Sequence, residues 1–525
     1  MLARVHSAAV LGIDARVLDV EVDVSDGLPC FTIVGLPDAS VKEARDRVRS
    51  ALRSGGFPLP GSSVTVNLAP ADFRKVGASL DLPVALALLL IGGLESRPPV
   101  RRVSIGELAL NGEVRPIRGA LCLALAARDA GFEEIVLPCA NASEAAAVEG
   151  IRVIPVGSLS AAVLHVSGKL RLEPFAPGPE EPGPPASVDF EEVHGQSVAR
   201  RALEVAAAGG HHVLLVGPPG AGKTMLARRL PTILPPLTRG EAIEVTKVHS
   251  VAGALPAEGG LVRTAPFRAP HYGISAAGLI GGGVRPGPGE ISLAHRGVLF
   301  LDELPEFRRD ALEGIRQPLE EKRVRLVRAG GAATFPCDFL LAAAMNPCPC
   351  GYAGDPRRAC SCAGAERRRY ARKVSGPLLD RIDLHISVPP VSWAEIERGA
   401  SQEPSRAIAQ RVAAARRLAV ARFPSRPDFR NADLPVREFE NVLHLEKAAR
   451  RMAGAAIERM ALSLRGLHRA LRVARTIADL AQSETVTTAH LAEAISYRSR
   501  LAREEEPRLD ARTVAPARPS SFKVG

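Results

Sequence analysis

The stretch Gly217-Pro-Pro-Gly-Ala-Gly-Lys223-Thr224 sets the fold class of this chain. It matches G-x-x-x-x-G-K-[ST], a loop whose glycines let backbone N–H groups approach phosphate oxygens. A buried strand, Val213–Val216, is expected before it and a helix, Thr224–Leu230, after it. We therefore predict an α/β domain that binds a nucleotide, in which Lys223 neutralises β- and γ-phosphate charge and Thr224 ligates Mg²⁺. The predicted loop residues are Gly217, Pro218, Pro219, Gly220, Ala221, Gly222, Lys223 and Thr224.

Two further strands are predicted to end in polar side chains. Gly297-Val-Leu-Phe-Leu-Asp302-Glu303 is an apolar run followed by two carboxylates. Asp302 is placed to hold Mg²⁺ and Glu303 to polarise the attacking water. The run Phe339–Ala343 leads to Asn346, whose amide is predicted to touch the γ-phosphate or to orient the water.

An arginine follows in Leu378-Leu379-Asp380-Arg381-Ile382-Asp383. Arg381 is predicted to reach the γ-phosphate of a neighbouring subunit and to stabilise the charge of the transition state. The alternative is a surface salt bridge with Asp380 or Asp383.

A second arginine is expected to close over the nucleotide from the same subunit. The segment Ser463-Leu-Arg465-Gly-Leu-His-Arg469 lies in a helical region. We favour Arg465, and Arg469 and Arg472 remain alternatives because they share similar helix faces.

The 525 residues suggest several domains. Residues 1–172 alternate strand-like and helical runs, including strands at Ala15–Val24, Phe31–Val34 and Val64–Leu68. Six prolines between Pro174 and Pro185 predict a linker. The predicted segments are a mixed α/β domain at 1–172, the linker at 173–187, the nucleotide-binding domain at 188–395, a helical lid at 396–502 and a disordered tail at 503–525.

The charge balance favours a polyanionic partner. The formal net charge is +11, and only nine of the 68 basic residues are lysine. Nucleic acid is the first candidate, and the alternative is a compositional bias toward arginine on a solvated surface. Eight cysteines do not make a disulfide scaffold in a chain of this length. The charged N-terminal stretch does not have the pattern of a signal peptide. We expect a cytoplasmic protein.

The order of phosphate loop, Asp-Glu strand, Asn, Arg and helical lid resembles AAA+ ATPases. The stretches Ala265-Pro-Phe-Arg-Ala-Pro-His271-Tyr272, Pro286-Gly-Pro-Gly-Glu-Ile-Ser-Leu-Ala-His295 and Ser375-Gly-Pro-Leu-Leu-Asp-Arg381 look like the magnesium-chelatase-like family called YifB or ComM. The 78 residues between Lys223 and Asp302 leave room for the helix-2 insert of this clade. The resemblance implies a hexameric, Mg²⁺-dependent ATPase, and ComM-type members are DNA helicases that promote branch migration during natural transformation.

The N-terminal segment resembles the proteolytic domain of Lon, which has a ribosomal-S5-like fold. The similar stretches are Lys75-Val-Gly-Ala-Ser79 and Gly106-Glu-Leu-Ala-Leu-Asn-Gly-Glu-Val-Arg-Pro116. Ser79 stands where the nucleophile would be, but Leu121 stands where we would place the lysine that such a serine needs. We therefore expect a non-proteolytic domain.

A β-hairpin is predicted at residues 323–336, with Ala329-Gly-Gly331 as its turn. Hairpins at this place in related motors project into a central pore, where Arg323, Arg325 and Arg328 would track a phosphate backbone. The alternative is an exposed basic edge that protects the sheet. In the insert, Arg268, His271 and Tyr272 are candidates for contact with DNA or, equally, for packing.

Four cysteines form two Cys-x-Cys pairs, Cys348-Pro-Cys350 and Cys360-Ser-Cys362. Four thiolates this close predict a structural Zn²⁺ site, although free thiols and a redox switch remain open. The other cysteines lie among apolar residues and are expected in the core: Cys30, Cys122, Cys139 and Cys337.

The motifs themselves predict a motor-type ATPase, and the resemblance implies that it is a hexameric DNA motor, in particular a branch-migration helicase. Three rivals remain: a metal-chelatase motor subunit, an ATP-dependent protease and a chaperone-like remodeller of a protein partner.

Overall fold

The computed structural model describes residues 1–59, 61–96, 100–176, 187–256, 259–283, 286–328, 331–355, 357–391, 393, 397, 402–460 and 462–498. The strands are β1 (Leu2–Leu11), β2 (Asp14–Ser25), β3 (Phe31–Val34), β4 (Ser63–Ala69), β5 (Arg102–Ser104), β6 (Glu107–Leu108), β7 (Val114–Arg115), β8 (Glu134–Pro138), β9 (Arg152–Val156), β10 (Val213–Val216), β11 (Phe267–Arg268), β12 (Gly281–Gly282), β13 (Gly287–Pro288), β14 (Val298–Leu301), β15 (Arg323–Arg328), β16 (Gly331–Pro336), β17 (Leu340–Met345) and β18 (Leu384–Ser387).

The helices alternate with these strands and dominate the C-terminal part. They are α1 (Ala39–Lys42), α2 (Ala44–Ser54), α3 (Asp81–Ile91), α4 (Ala120–Asp129), α5 (Ala142–Ala145), α6 (Leu159–Val166), α7 (Ser197–Gly209), α8 (Lys223–Ile233), α9 (Arg239–Ala252), α10 (Ala276–Ile280), α11 (Glu290–Leu293), α12 (Arg309–Gly314), α13 (Arg316–Glu321), α14 (Gly364–Ala371), α15 (Gly376–Leu379), α16 (Ser405–Ala421), α17 (Phe439–Leu443), α18 (Lys447–Met460), α19 (Leu464–Leu480) and α20 (Thr488–Ser496).

The described residues form two compact units. Unit 1 holds those of Met1–Asp189, with Ala227–Ala343 and Arg368–Leu378. Unit 2 holds Phe190–Leu226, Ala344–Arg367 and those from Leu379 onward. Most of the predicted linker, residues 177–186, and the whole predicted tail, 503–525, lie outside the described residues.

Unit 1 opens with a seven-stranded sheet in the order β3-β4-β2-β1-β5-β8-β9. Strands β1 and β2 form an antiparallel hairpin that is paired from Leu2↔Asp23 to Leu11↔Asp14, and β5, β8 and β9 follow in parallel. Alternate side chains of β2 such as Val20 and Val22 are buried, as a half-buried strand requires. The predicted strands at Ala15–Val24, Phe31–Val34 and Val64–Leu68 are confirmed.

Two apolar clusters form the core of this sheet domain. One gathers Val20, Val66 and the apolar face of α3, and the other gathers Val103, Leu121 and Ile135. Burying this much apolar surface is the main stabilising term of the domain.

Helix α9 packs on the second cluster through Ile243, so the insert and the N-terminal domain share one unit. Nζ of Lys247 donates to Oδ1 of Asp14 at 2.8 Å, and the N–H of Gly119 donates to the carbonyl of Ser250 at 3.2 Å. A capping box of Thr238 and Glu241 begins the helix.

The nucleotide-binding sheet has the order β11-β14-β17-β10-β18. Within unit 1, β14 pairs in parallel with β11 and β17, and Leu301 faces Ala343. Within unit 2, β10 pairs in parallel with β18, and the N–H of Gly217 donates to the carbonyl of Met345 at the end of β17. The strands predicted at Val213–Val216 and before Asp302 are confirmed.

The predicted hairpin is confirmed as the antiparallel pair β15 and β16, whose turn residues 329 and 330 lie outside the described ranges. Behind the nucleotide loop, unit 2 continues as a helical lid. Leu467, Leu471 and Ala474 of α19 are buried, which is the spacing of one apolar face of a helix. No helix in the described part of the chain is long and apolar enough to cross a membrane.

Candidate nucleotide site and cysteine cluster

The phosphate loop begins where β10 ends, and its glycines are required by its path. A Cβ on Gly217 would lie 2.2 Å from the carbonyl oxygen of Val388, so no side chain fits there. Gly220 and Gly222 have φ of +77° and +87°, a region that only glycine adopts readily. A Cβ on Gly220 would meet no atom within 4 Å, which leaves this side of the loop open for a ligand.

Lys223 is 9% exposed and its ammonium is held inside the loop. Nζ donates to the carbonyls of Gly217 at 2.7 Å and Pro218 at 2.9 Å, and to Oδ1 of Asn346 at 3.1 Å. The structure therefore brings two of the predicted residues, Lys223 and Asn346, into direct contact within unit 2. Helix α8 begins at Lys223 and supplies N–H groups at the same loop.

Gln196 supports the loop from behind, and the sequence analysis missed it. Its Nε2 donates to the carbonyl of Ala221 at 3.3 Å and to that of Pro389. Its own backbone has φ of +56° just before α7. Gly195-Gln196 stands immediately before a helix, where a residue in the left-handed region can end the preceding strand or turn. This sequence pattern could have indicated Gln196.

Asp302 and Glu303 follow β14 in unit 1. The N–H of Glu303 donates to Oδ1 of Asp302 at 2.9 Å, and Glu303 has φ of +53°, a conformation that is uncommon outside glycine. Asp302 is half-buried and Glu303 is exposed. The local turn thus separates the two carboxylates, one toward the strand end and one toward solvent.

Arg381 follows α15, and its segment is held by another arginine. Nη1 of Arg469 donates to the carbonyl of Arg381 at 2.9 Å and to Oδ1 of Asp383 at 2.8 Å. Burial raises the pKa of the Asp383 carboxyl, but hydrogen bonding by His211 and the charge of Arg469 outweigh it and hold the pKa well below its usual range. Asp383 is therefore a buried anion that holds Arg469, which in turn binds the carbonyl of Arg381.

The three candidate lid arginines differ in their surroundings. Arg469 is bound to Asp383, and Nε of Arg472 donates to the carbonyl of Leu434 at 2.8 Å. Arg465 is exposed at the start of α19 and makes no hydrogen bond or ion pair with any described residue.

The hairpin presents its arginines on one face. Val324 and Leu326 are buried while Arg323 and Arg325 are exposed, as the two-residue period of a strand requires. Nε of Arg323 lies 3.9 Å from a carboxylate oxygen of Glu321. The side chain of Arg328 lies outside the described residues.

In the insert, Arg268 is engaged within the chain. Its Nε and Nη2 donate to the two carboxylate oxygens of Glu290 at 2.7 and 2.8 Å. Such a two-bond pair satisfies most of the planar edge of a guanidinium. The rings of His271 and Tyr272 contact each other at a tilt of 33°, with centroids 4.1 Å apart, and both are exposed.

The four cysteines of the two Cys-x-Cys pairs converge. Their Sγ atoms all lie within 4.8 Å of one another, and Cys348 Sγ is 3.4 Å from Cys350 Sγ and 3.6 Å from Cys360 Sγ. In a tetrahedral zinc–thiolate site, with bonds of about 2.3 Å, the sulfur atoms stand about 3.8 Å apart. The donors therefore have the number, type and spacing that Zn²⁺ takes.

Backbone amides point at the sulfur atoms of this cluster. The N–H of Cys350 donates to Cys362 Sγ at 3.4 Å, and the N–H of Ala353 donates to Cys348 Sγ at 3.3 Å. The N–H of Tyr352 and the neighbouring thiols lower the pKa of Cys350 to about 5, which favours the thiolate. All eight cysteines are free.

The other cysteines divide into two pairs. Cys122 and Cys337 are buried, as expected. Cys30 and Cys139 are exposed, so the expectation that they lie in the core is wrong. Cys30 precedes β3 at the edge of its sheet, and Cys139 begins a turn after β8, positions where neighbouring apolar residues do not cover the thiol.

Family models cover most of the chain. Models described as magnesium chelatase, subunit ChlI, match residues 189–396, 20–141 and 402–498, the last being its C-terminal part. YifB of Escherichia coli K12 is 42% identical over 507 residues, which cover 95% of this chain and 97% of YifB. The competence protein ComM of Haemophilus influenzae is 40% identical over 506 residues, covering 95% of this chain and 97% of ComM.

This chain belongs to the YifB/ComM magnesium-chelatase-like family. It is therefore a chelatase-like AAA+ ATPase, and ATP and Mg²⁺ are the ligands that this family of enzymes implies.

This YifB/ComM chain has a second likeness. The Lon protease of Salinispora arenicola is 31% identical over 141 residues, 25% of this chain and 18% of Lon. At the position where a base would stand, Leu121 is fully buried in the core. Lys75, also buried, lies with Nζ 4.3 Å from the ring centroid of Phe73 and donates to the carbonyl of Pro70.

Proposed function

We propose that this protein is a Mg²⁺- and ATP-dependent DNA motor. It works in the cytoplasm as a homohexamer and migrates branched DNA during natural transformation or recombination. One observation carries the proposal: an AAA+ phosphate loop stands in the same chain as a hairpin with two exposed arginines on one face, Arg323 and Arg325. The likeness to a relative named a competence protein supports the same biological setting.

In the proposed mechanism, the loop amides and Lys223 bind the phosphates of ATP. The loop fits this ligand because Gly220 faces open space and the ammonium of Lys223 is already held inside the loop. Thr224 and Asp302 offer the oxygen ligands that Mg²⁺ prefers, and the bound metal would neutralise phosphate charge during transfer.

Hydrolysis then depends on four side chains. Glu303 accepts a proton from the attacking water, and Asn346 orients that water or the γ-phosphate. Arg381 of the neighbouring subunit stabilises the charge that develops on the phosphoryl group, and Arg465 closes over the nucleotide from its own subunit. Two arginines from different subunits would make hydrolysis depend on assembly.

The DNA contact is proposed at the hairpin. Guanidinium groups of Arg323 and Arg325, with Arg328 further along the strand, would follow a phosphate backbone without reading bases. Arg268 contributes less in this proposal, because Glu290 already binds its guanidinium on two sides.

The cysteine cluster is proposed to hold a structural Zn²⁺. Four sulfur atoms within 4.8 Å and two N–H···S hydrogen bonds support this assignment.

A second candidate is a chelatase-type or chaperone-like ATPase that remodels a protein partner. The chelatase descriptions of all three matched models favour it, as does the exposed aromatic pair His271 and Tyr272 in the insert. Such a machine would hydrolyse ATP without responding to DNA.

Steady-state ATP hydrolysis with Mg²⁺ separates the two candidates. The rate would be compared without nucleic acid and with single-stranded DNA, duplex DNA and a four-way junction, with Lys223→Ala as the blank. We expect strong stimulation by DNA that weakens as salt rises. Substantial hydrolysis that ignores every DNA would reject the DNA motor in favour of the remodelling ATPase.

A further inference from the structure

The cysteine cluster touches the phosphate loop through one glycine. Gly351 is buried and has φ of +88°. A Cβ built on it would lie 2.5 Å from Cδ and 2.8 Å from Cγ of Pro219, and 3.9 Å from Cγ of Asn346. The backbone of the cysteine loop therefore lies directly against the second proline of the phosphate loop.

The cluster also determines where Gly351 stands. Its N–H donates to the carbonyl of Cys348 at 3.0 Å, and the residue before it, Cys350, donates its own N–H to Cys362 Sγ. On the other side, the N–H of Ala353 donates to Cys348 Sγ at 3.3 Å. Sulfur atoms thus hold the turn on both sides of Gly351.

The N–H···S hydrogen bonds and the contacts between sulfur atoms hold this turn within the chain. Four bonds to one cation would hold it more firmly, since a metal site of this kind is part of the folding energy of its loop. A bound cation would therefore strengthen the contact of Gly351 with Pro219.

The contact leads on to Lys223. Pro219 follows Pro218, whose carbonyl accepts a hydrogen bond from Nζ of Lys223 at 2.9 Å. Asn346, two residues before Cys348, accepts another at 3.1 Å. A shift of the cysteine loop would move two of the acceptors that hold the ammonium.

We propose that Zn²⁺ bound by Cys348, Cys350, Cys360 and Cys362 positions the phosphate loop, so that metal occupancy sets the affinity of the protein for ATP. The proposal rests on the proposed function only in taking ATP as the ligand of this loop. The cysteines are positioning residues in this scheme, since they act through Gly351 and Pro219.

The first test is metal content and its effect on nucleotide binding. The full chain would be assayed for zinc by mass spectrometry, stripped with a chelator and titrated with a fluorescent ATP analogue. We expect one zinc per chain, an affinity weaker by about tenfold or more after stripping, and recovery when Zn²⁺ alone is added back. Cys362→Ser, at a half-buried position, should match the stripped protein.

The second test separates the contact from the metal. Gly351→Ala and Gly354→Ala both place a side chain at positive φ in the same loop, but a Cβ on Gly354 meets nothing within 4 Å. We expect both variants to retain zinc. Only Gly351→Ala should lose nucleotide affinity, by about tenfold, because only its Cβ meets Pro219.

The outcomes are distinct. The coupling would be overturned if the purified protein held no zinc. It would also be overturned if both the stripped protein and the Gly351→Ala variant bound the analogue like wild type. Circular dichroism would check that stripped protein remains folded, and Gly351→Ala tests the contact even if stripping unfolds it. If zinc sets nucleotide affinity but DNA leaves hydrolysis unchanged, the DNA motor fails while this inference stands.

Discussion

Nζ of Lys223 donates a hydrogen bond to Oδ1 of Asn346 over 3.1 Å, which joins the phosphate loop to the end of strand β17. A γ-phosphate bound here would compete with the amide for the same ammonium. We therefore propose separable roles for the two side chains: Lys223 supplies charge to bind phosphate, and Asn346 responds to what that charge has bound.

The first prediction separates these roles. Lys223→Ala should abolish binding of a fluorescent ATP analogue, because no other cation lies inside the described loop. Asn346→Ala should bind the analogue but hydrolyse ATP about 100-fold more slowly in single-turnover assays, since a positioning group has been lost. Equal loss of binding in both variants would contradict the division of roles.

The second prediction concerns the water. Glu303→Gln should bind ATP normally but hydrolyse it about 10²- to 10⁴-fold more slowly, because the amide cannot accept the proton. Glu306→Gln is the matched control: Glu306 lies three residues on and is bound at 3.0 Å by Nζ of Lys373. If the control lost activity as fully as Glu303→Gln, the assignment of the base would be wrong.

The third prediction is that Arg381 acts across a subunit boundary. Arg381→Ala and Lys223→Ala should each lack ATPase activity alone. An equal mixture should recover part of it, because mixed assemblies contain interfaces with an intact loop on one side and an intact Arg381 on the other. The test is hydrolysis by the mixture after exchange of subunits. Full activity of Arg381→Ala alone, or no recovery on mixing, would count against action in trans.

The fourth prediction addresses the hairpin. Replacing Arg323 and Arg325 together by alanine should leave basal hydrolysis near wild type and remove most of its stimulation by DNA. The dependence of log affinity on log salt should become shallower by about 0.7 to 0.9 for each lost phosphate contact. Arg53→Ala, an exposed arginine on α2, serves as the control. Unchanged DNA affinity and salt dependence in the double variant would remove the hairpin from the DNA path.

The fifth prediction concerns stability in acid. Burial lowers the pKa of both His212 and His385 to about 4, so the folded state keeps them neutral while the unfolded chain protonates them near 6.5. Their contribution is intact above about pH 6.5 and is lost as pH falls toward 4, by at most about 3 kcal/mol for each histidine.

Urea unfolding followed between pH 7 and pH 4 measures this effect. His385→Asn, which cannot protonate, should flatten the pH dependence relative to wild type whatever its effect at neutral pH. An unchanged slope in that variant would mean that His385 does not titrate between the folded and unfolded states.

Local signals along the chain were sufficient for much of the architecture. The four-residue apolar run Val213–Val216 is bounded by the glycine loop, so β10 has the predicted limits, and Phe31–Val34 behaves likewise as β3. The hairpin at 323–336 followed from alternation around a glycine turn. By contrast, β1 was missed because its apolar residues alternate poorly; pairing with β2 along its length makes it a strand.

Several residues acquire their surroundings only through distant contacts. Arg469 could not be told from Arg465 by helix spacing, yet it alone meets Asp383, which is 86 positions away in the chain. The sequence makes Arg268 a candidate for contact with DNA, but in the structure its guanidinium binds Glu290. Sequence spacing reports which side of a helix a residue occupies, but not which charge from another segment reaches it.

By itself, the sequence determined the nucleotide loop with Lys223, the strands that precede Asp302 and Asn346, and the family of the chain. Glycine conformation, apolar periodicity and charge spacing are local properties, so short segments are enough to predict these features. Only the tertiary structure decided that Lys223 meets Asn346, that Gly351 lies against Pro219, and that the four cysteines converge. Those contacts join segments far apart in the chain, and their distances are set by how strands and loops pack rather than by any pattern along the sequence.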